Sequence, residues 1–213
     1  MLASQFINEA LARRSGLRPD RMGLGHAFEI DPALPNSFLY ELAHAQLARD
    51  IFPEAPLKYM PPTKHMTGDV FRGYVMNAMF NLVGVTSGQS IQLLGMLTEA
   101  IHTPHIQDRY LAVKNAKYVF GAARDLGNEI SFAPGGIIQT RAAEVLSKAH
   151  AALLRANELG LPGAIAEGMF GGISRRSDQG RGLDGVIERV ADYWNPFEDR
   201  LRDELGLNPS EGV

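Results

Sequence analysis

The sequence predicts an α/β fold in which a parallel sheet is covered by outer helices. Three short apolar segments alternate with longer segments whose apolar residues recur at helical spacing, and this alternation is typical of parallel strands joined by crossover helices. The chain has 213 residues, of which 45% are hydrophobic and 21% charged, so it can form one large domain with a substantial core. We therefore expect three neighbouring parallel strands with helices packed outside them.

The first strand lies between two predicted helices. Residues 4–14 are predicted to be helical, and residues 25–30 (GHAFEI) form a short strand that an Asp-Pro pair closes. The next helix begins with Asn36 or Ser37 as its cap. Its apolar residues at helical spacing are Phe38, Leu39, Leu42 and Ile51.

The second and third strands are separated by one more helix. Residues 57–60 (LKYM) form the second strand, which a Pro-Pro pair stops, and residues 91–96 (IQLLGM) form the third. Between them, residues 68–86 are predicted to be helical. The predicted apolar face of that helix consists of Phe71, Val75, Ala78 and Leu82.

Two further helices follow the third strand. The first covers residues 105–126, and the second follows the Pro-Gly-Gly sequence at 134–136 and ends at Gly160. The apolar face of the first is predicted to be Leu111, Tyr118, Val119, Ala122 and Leu126. That of the second is predicted to be Ala142, Val145, Leu146, Ala149 and Leu153.

The chain divides into a body, residues 1–167, and a tail, residues 168–213. The tail begins with a long segment that is rich in Gly and Arg and has little periodicity, which predicts a loop. Its Arg175, Arg176 and Arg181 could bind a phosphate or carboxylate, although a solvated run of charge is the commoner explanation. Residues 193–197 (YWNPF) are predicted to anchor the tail back onto the body.

Composition excludes several classes of function. With 21 Lys and Arg against 24 Asp and Glu, the net charge is −3, which is too balanced for nucleic acid or an anionic membrane to be the main partner. The absence of cysteine excludes disulfides and thiolate sites. The start of the chain does not resemble a signal peptide, and no apolar stretch approaches the roughly 20 residues of a membrane helix. We expect a soluble cytoplasmic protein.

Polar residues concentrate directly after the three predicted strands. In parallel α/β folds, the loops after the carboxyl ends of the strands meet substrates. The first such loop carries Glu29 and Asp31; the second Tyr59, Thr63, Lys64 and His65; the third Thr98, Glu99, His102, Thr103 and His105. We expect all three to open on one rim, although loops are also polar because they are exposed. The candidates that face a substrate or cofactor are Glu29, Lys64, His65, Glu99 and His102.

Specific catalytic motifs are weak or lacking. The spacing His102-x-x-His105-x-x-Asp108 could line a helical face for a metal, but Pro104 lies inside it and we predict no metal site. Dinucleotide, phosphate-loop and serine-hydrolase signatures are incomplete or missing. Lys64 could form an imine, but holding an anion or facing solvent are the stronger interpretations.

Long strings of the sequence resemble one known family. The strings LGHAFEIDP, LYELAHAQLARDIFPEAPLKYMPPTKHMTGDVF, NAMFNLVGVTSGQSIQLLGMLTEAIHTP, DRYLAVKNAKYVF and GGIIQTRA recur in order in the α subunit of lysine 5,6-aminomutase. The resemblance runs from about Gly23 to Phe197 and matches the C-terminal part of a much longer subunit. It implies that residues 1–167 are the C-terminal part of a TIM-type (β/α) barrel, with the tail packed on it.

The same resemblance implies a function. The family carries out a 1,2 amino shift on D-lysine or L-β-lysine, an isomerase reaction that uses adenosylcobalamin and pyridoxal phosphate. Both cofactors are expected to be bound mainly by a partner β subunit, so the chain should need that subunit and the missing N-terminal barrel region and be inactive alone. Two alternatives stay open: a component of the sibling enzyme that acts on D-ornithine, and a truncated fragment without catalytic function.

Overall fold

The computed structural model describes residues 1–27, 30–170, 200–201 and 203–205. Three strands and six α-helices make up its regular structure, apart from two short 3₁₀ turns at Pro19–Arg21 and Thr63–His65. In chain order they are α1 (Leu2–Arg14), β1 (Gly25–Ala27), α2 (Ser37–Ile51), β2 (Lys58–Met60), α3 (Val70–Thr86), β3 (Ile91–Gln92), α4 (Ile106–Ala122), α5 (Leu126–Glu129) and α6 (Ile137–Ala166).

The three strands form a parallel sheet in the order β1-β2-β3, as the sequence predicts. The register pairs Gly25 with Lys58 and Lys58 with Ile91, so these three residues share one face of the sheet. Each strand is shorter than predicted. The paired segments cover the first residues of the first and third apolar runs and the last three residues of the second, and Phe28 and Glu29 of the first run lie outside the described residues.

The order of the strands determines where the helices lie. Each strand pairs with the next one along the chain, so both crossovers move in the same direction across the sheet. Because such crossovers are right-handed, α2 and α3 pack on the same face. A doubly wound sheet would reverse direction and place helices on both faces. The described body is therefore a singly wound section, the arrangement found in a (β/α) barrel.

Two apolar clusters hold the helices to the outer face of the sheet. In the first, Phe6 of α1 packs against Phe52, with ring centroids 5.3 Å apart, beside fully buried Leu57. In the second, Tyr59 of β2 packs against Phe80 of α3, with ring centroids 4.6 Å apart. Residue 59 alternates with residues 58 and 60, so Lys58 and Met60 point to the opposite, inner face.

The predicted apolar face of α3 is wrong. Phe71 is 81% exposed and Val75 is also exposed, whereas the buried residues lie on the other side of the helix. They are Gly73, Met76, Asn77, Phe80, Asn81, Val83, Gly84 and Thr86. Small and amide side chains line this side because α3 approaches the β3 segment closely: the Asn77 side-chain amide donates to the Gly95 carbonyl at 2.8 Å.

The apolar faces of α4 and α6 are only partly as predicted. Helix α4 buries Asp108, Ala112 and Ala116, while Tyr118 is 77% exposed, because α4 packs on α3 through small side chains. The predicted helix over 105–126 in fact ends at residue 122, and a separate short helix begins at 126. In α6, Ala149 is buried as predicted, and Leu146 is exposed.

The last part of α6 departs from regular helical geometry. Gly160 has a φ of 69° and Pro162 follows it, so regular helical geometry breaks where the sequence predicts, although a helical segment continues to Ala166. Most of the predicted tail, including its three arginines and residues 193–197, lies outside the described residues. None of the described helices combines the length and hydropathy needed to cross a membrane.

Candidate functional site

The loops after β1 and β2 come together at the rim of the sheet. The pKa of His65 is lowered by burial and by the positive charges of Lys64 and Arg72, while the negative charge of Asp31 acts in the opposite direction. His65 is half-buried, and its Nε2 atom is buried without a hydrogen bond among the described residues. This part of the rim therefore carries a neutral imidazole close to charges of both signs.

The loops after β2 and β3 are joined by a hydrogen bond. Thr63 donates through Oγ1 to Glu99 Oε1 at 3.0 Å, and the Met96 backbone N–H donates to Glu99 Oε2 at 2.9 Å. Burial raises the pKa of Glu99, and the two hydrogen bonds oppose that rise. The loops after β2 and β3 are therefore in contact, and Glu99 accepts one hydrogen bond at each of its carboxylate oxygens.

A second hydrogen-bonded group lies just beyond Glu99. Buried Thr98 donates through Oγ1 to Asp108 Oδ2 at 2.5 Å, and the His105 backbone N–H donates to the same oxygen at 3.2 Å. Asp108 and His105 form a capping box at the start of α4, and Pro104 lies before that start. His102 packs its ring on His105, with centroids 4.7 Å apart, and its Nδ1 lies 2.9 Å from the Thr103 carbonyl oxygen.

The structure places most of the predicted site residues. Lys64 is exposed on the turn after β2, whereas His65, Glu99 and His102 are half-buried. Glu29 lies outside the described residues, so a single opening shared with it stays a prediction. The residues whose spacing could line a metal site, His102, His105 and Asp108, lie at or just before the start of α4, where Asp108 and His105 cap the helix. No cluster of three or more His, Asp or Glu suited to a metal ion occurs in the described part of the chain.

Tyr59 is not a rim residue, contrary to the sequence prediction. It points outward from β2 into the helix layer, where it is fully buried and donates a hydrogen bond to Glu41 of α2 at 3.0 Å. The prediction counted every polar residue near a strand end as belonging to the loop, but strand alternation decides the side. Glu41 was missed for the related reason that a carboxylate on an apolar helix face is a weak signal by itself.

Two further residues were not predicted. Arg72 reaches the rim from the first turn of α3, whose N-cap Asp69 accepts a hydrogen bond from the Arg72 backbone N–H at 2.7 Å. Lys58 lies on the inner face of the sheet, and its side chain crosses Gly25 so closely that a Cβ there would lie 3.0 Å from Lys58 Cε. Strand alternation explains the position of Lys58: because Tyr59 faces the helix layer, the residue before it faces the opposite side of the sheet.

These features define a class of protein: a singly wound (β/α)-barrel section with charges of both signs on the rim at the strand ends. Within that class, residues 1–200 match the family described as the D-lysine 5,6-aminomutase TIM-barrel domain of the α subunit. The chain belongs to this family.

Two curated relatives extend the comparison. The chain is 55% identical to a lysine 5,6-aminomutase α subunit of Fusobacterium nucleatum over 197 residues, which is 92% of the chain and 38% of that relative. It is 53% identical to the corresponding α subunit of Acetoanaerobium sticklandii over 201 residues, which is 94% of the chain and 39% of that relative. The chain therefore spans about two fifths of the length of these relatives.

Proposed function

We propose that this chain is the C-terminal part of the α subunit of an aminomutase that moves an amino group between adjacent carbons of D-lysine or L-β-lysine. Membership of the lysine 5,6-aminomutase α-subunit family is the observation that carries the proposal. The reaction is an isomerisation, and the chain contributes one section of the barrel wall and its rim. The remaining strands come from an N-terminal barrel region like that of the longer relatives.

The rim residues are suited to a substrate that carries both ammonium and carboxylate groups. Lys64 and Arg72 supply positive charge for a carboxylate or phosphate, and exposed Asp31 supplies negative charge for an ammonium group. His65 is close enough to all three charges for them to affect its pKa, and its imidazole can accept or donate a proton. In this proposal these side chains orient the substrate and exclude water, and Glu29 and His102 stay candidates for the same opening.

The cofactors in this proposal are adenosylcobalamin, which supplies the hydrogen-abstracting radical, and pyridoxal phosphate, which binds the migrating amine. The described residues fit a supporting role towards them. A lysine that forms an imine needs a site that lowers its charge by excluding water, whereas Lys58 is half-buried and the other four lysines are exposed. As the family resemblance implies, the proposal assigns both cofactors mainly to a second, β subunit, with this chain facing them.

The partners follow from the same division. They are the β subunit, the N-terminal barrel region and a small amino-acid substrate. Within the described sheet, β1 and β3 each pair on one side only, so additional strands can join at both edges. We expect the chain to show no turnover by itself.

Reconstitution tests the proposal. The chain is co-expressed with the N-terminal barrel region of a relative and with a β subunit, supplied with both cofactors, and assayed by mass spectrometry and NMR for the positional isomer of lysine. Lys64→Ala should lower kcat/KM about 10- to 150-fold, because a hydrogen bond to a charged group is worth about 1.5–3 kcal/mol. Lys148→Ala, an exposed lysine on α6, is the matched control.

The alternatives give different results in the same assay. Isomerisation of D-ornithine with none of lysine would indicate the sibling enzyme, because its substrate is one methylene shorter. Assembly of a stable complex without turnover of either substrate would indicate a fragment that has lost catalysis.

A further inference from the structure

Side chains of four residues link helix α4 to the turn after β2. Asp108, at the start of α4, accepts a hydrogen bond from Thr98. Glu99, the residue directly after Thr98, accepts a hydrogen bond from Thr63. The Met96 backbone N–H fixes the second oxygen of Glu99. The β3 loop, residues 96–99, is therefore held from both sides, at one end by a helix cap and at the other by the β2 loop.

The turn that Glu99 contacts carries two of the candidate site residues. Thr63–His65 is a single 3₁₀ turn, preceded by buried Pro62 and followed by fully buried Met66. Both ends of the turn are thus fixed by burial, whereas Thr63 and Lys64 themselves are exposed. The Thr63–Glu99 hydrogen bond links the exposed part of the turn to a neighbouring loop and resists its rotation.

We propose that Glu99 is a positioning residue, which holds the Thr63–His65 turn against the β3 loop and so sets the orientation of Lys64 and His65 at the rim. Thr98 and Asp108 act through Glu99, because they fix the backbone that carries it. Glu99 accepts one hydrogen bond at each carboxylate oxygen, from Thr63 and from the Met96 backbone N–H, so its carboxylate has a fixed orientation. The catalytic consequence rests on the function proposed above, but the geometry can be tested in the chain by itself.

The first test measures the titration of His65 by NMR in the whole chain, with the signal assigned from His65→Gln. Breaking the link with Thr63→Val should let the exposed part of the turn rotate between its buried ends, so that His65 gains solvent and its pKa rises by roughly half a unit or more. Exposed His150 on α6 is the internal control, and its NMR titration should be the same in Thr63→Val as in wild type. A loss of global stability alone would leave the titration of the native state unchanged.

Conservative and double variants sharpen the test. Thr63→Ser keeps the hydroxyl and should restore the wild-type titration, and Thr140→Val, which removes a comparable exposed hydroxyl in α6, should have no effect. Glu99→Ala should shift His65 in the same direction as Thr63→Val, and the double variant should shift it no further, since both changes break one link. An unchanged His65 titration in Thr63→Val, or additive shifts, would overturn the proposal.

The second test uses the reconstituted enzyme. Thr63→Val and Glu99→Ala should each lower kcat at least fivefold, whereas Thr63→Ser should retain most of it. Equal activity of Thr63→Val and wild type would contradict the positioning role in catalysis. If the wild-type complex shows no turnover of any substrate, the proposed function fails, and the His65 titration still decides whether Glu99 positions the turn.

Discussion

The hydrogen bond between Tyr59 and Glu41 gives the sharpest stability prediction for the body of the chain. Tyr59 lies on β2 and Glu41 on α2, and their exposed fractions are 0% and 2%. Tyr59→Phe removes only the hydroxyl, so the ring contact with Phe80 is retained. A hydrogen bond to a charged group contributes about 1.5–3 kcal/mol, and water cannot replace the hydroxyl at this depth. Glu41 has further interactions, so we expect a loss of about 2 kcal/mol.

Urea unfolding followed by circular dichroism measures this loss. With an m-value of about 2 kcal/mol per molar urea, the midpoint should fall by about 1 M. Tyr118→Phe is the matched control because the side chain of Tyr118 is exposed, and its effect should stay within about 0.5 kcal/mol. A change of less than 0.5 kcal/mol in Tyr59→Phe would refute the view that this hydrogen bond fixes α2 to the sheet.

The same pair predicts a dependence of stability on alkaline pH. Burial, then the charge and hydrogen bond of Glu41, raise the pKa of Tyr59 well above its usual value of 10.0. The folded state therefore keeps the phenol proton where the unfolded state loses it. The contribution of Tyr59 is complete below pH 10 and is lost as pH rises through the higher pKa of the folded state. The stability of wild type should fall more steeply above pH 10 than that of Tyr59→Phe.

Three further substitutions test other parts of the structure. Gly95→Ala should cost about 2–3 kcal/mol by urea unfolding, because its Cβ would lie 2.1 Å from Asn77 Oδ1, whereas Gly23→Ala has no atom within 4 Å of its Cβ and should be near neutral. The lowered pKa of His65 means that protonation favours the unfolded state, so the free energy of unfolding should rise with pH up to about 6.5. His65→Gln should flatten that rise. An equal pH dependence of the free energy of unfolding in wild type and His65→Gln would contradict this prediction. Phe71→Ser should change the free energy of unfolding by less than about 0.5 kcal/mol, because Phe71 is exposed. A loss above about 1 kcal/mol would indicate that Phe71 is buried, as the sequence predicts.

The strand order was predictable from the sequence, but the buried face of α3 was not. Short apolar runs between helical segments leave few arrangements other than a parallel sheet with right-handed crossovers. Helix α3, in contrast, has apolar residues all round, so periodicity could not identify its buried side. The structure buries the side with Gly73 and Asn77, because close packing and amide hydrogen bonds decide the contact there.

The sequence predicted the location of the candidate site at the strand ends, but not the contacts within it. Thr63 and Glu99 were expected on the same rim and are in contact. The pairing of Glu99 with Thr63, and of Asp108 with Thr98, depends on side-chain geometry that spacing does not specify. Arg72 was missed because it belongs to a helix rather than a loop, and its approach to His65 results from the way α3 starts beside the turn.

The inner face of the sheet carries a charge that bears on the barrel proposed above. Lys58 lies across Gly25 there, and Ile91 on the same face is 39% exposed, so the face carries a cation beside apolar surface. A closed barrel removes such a face from water, and a cation enclosed with it requires an anion. If the chain forms part of the barrel proposed above, closing that barrel should therefore bring a carboxylate close to Lys58 on this face.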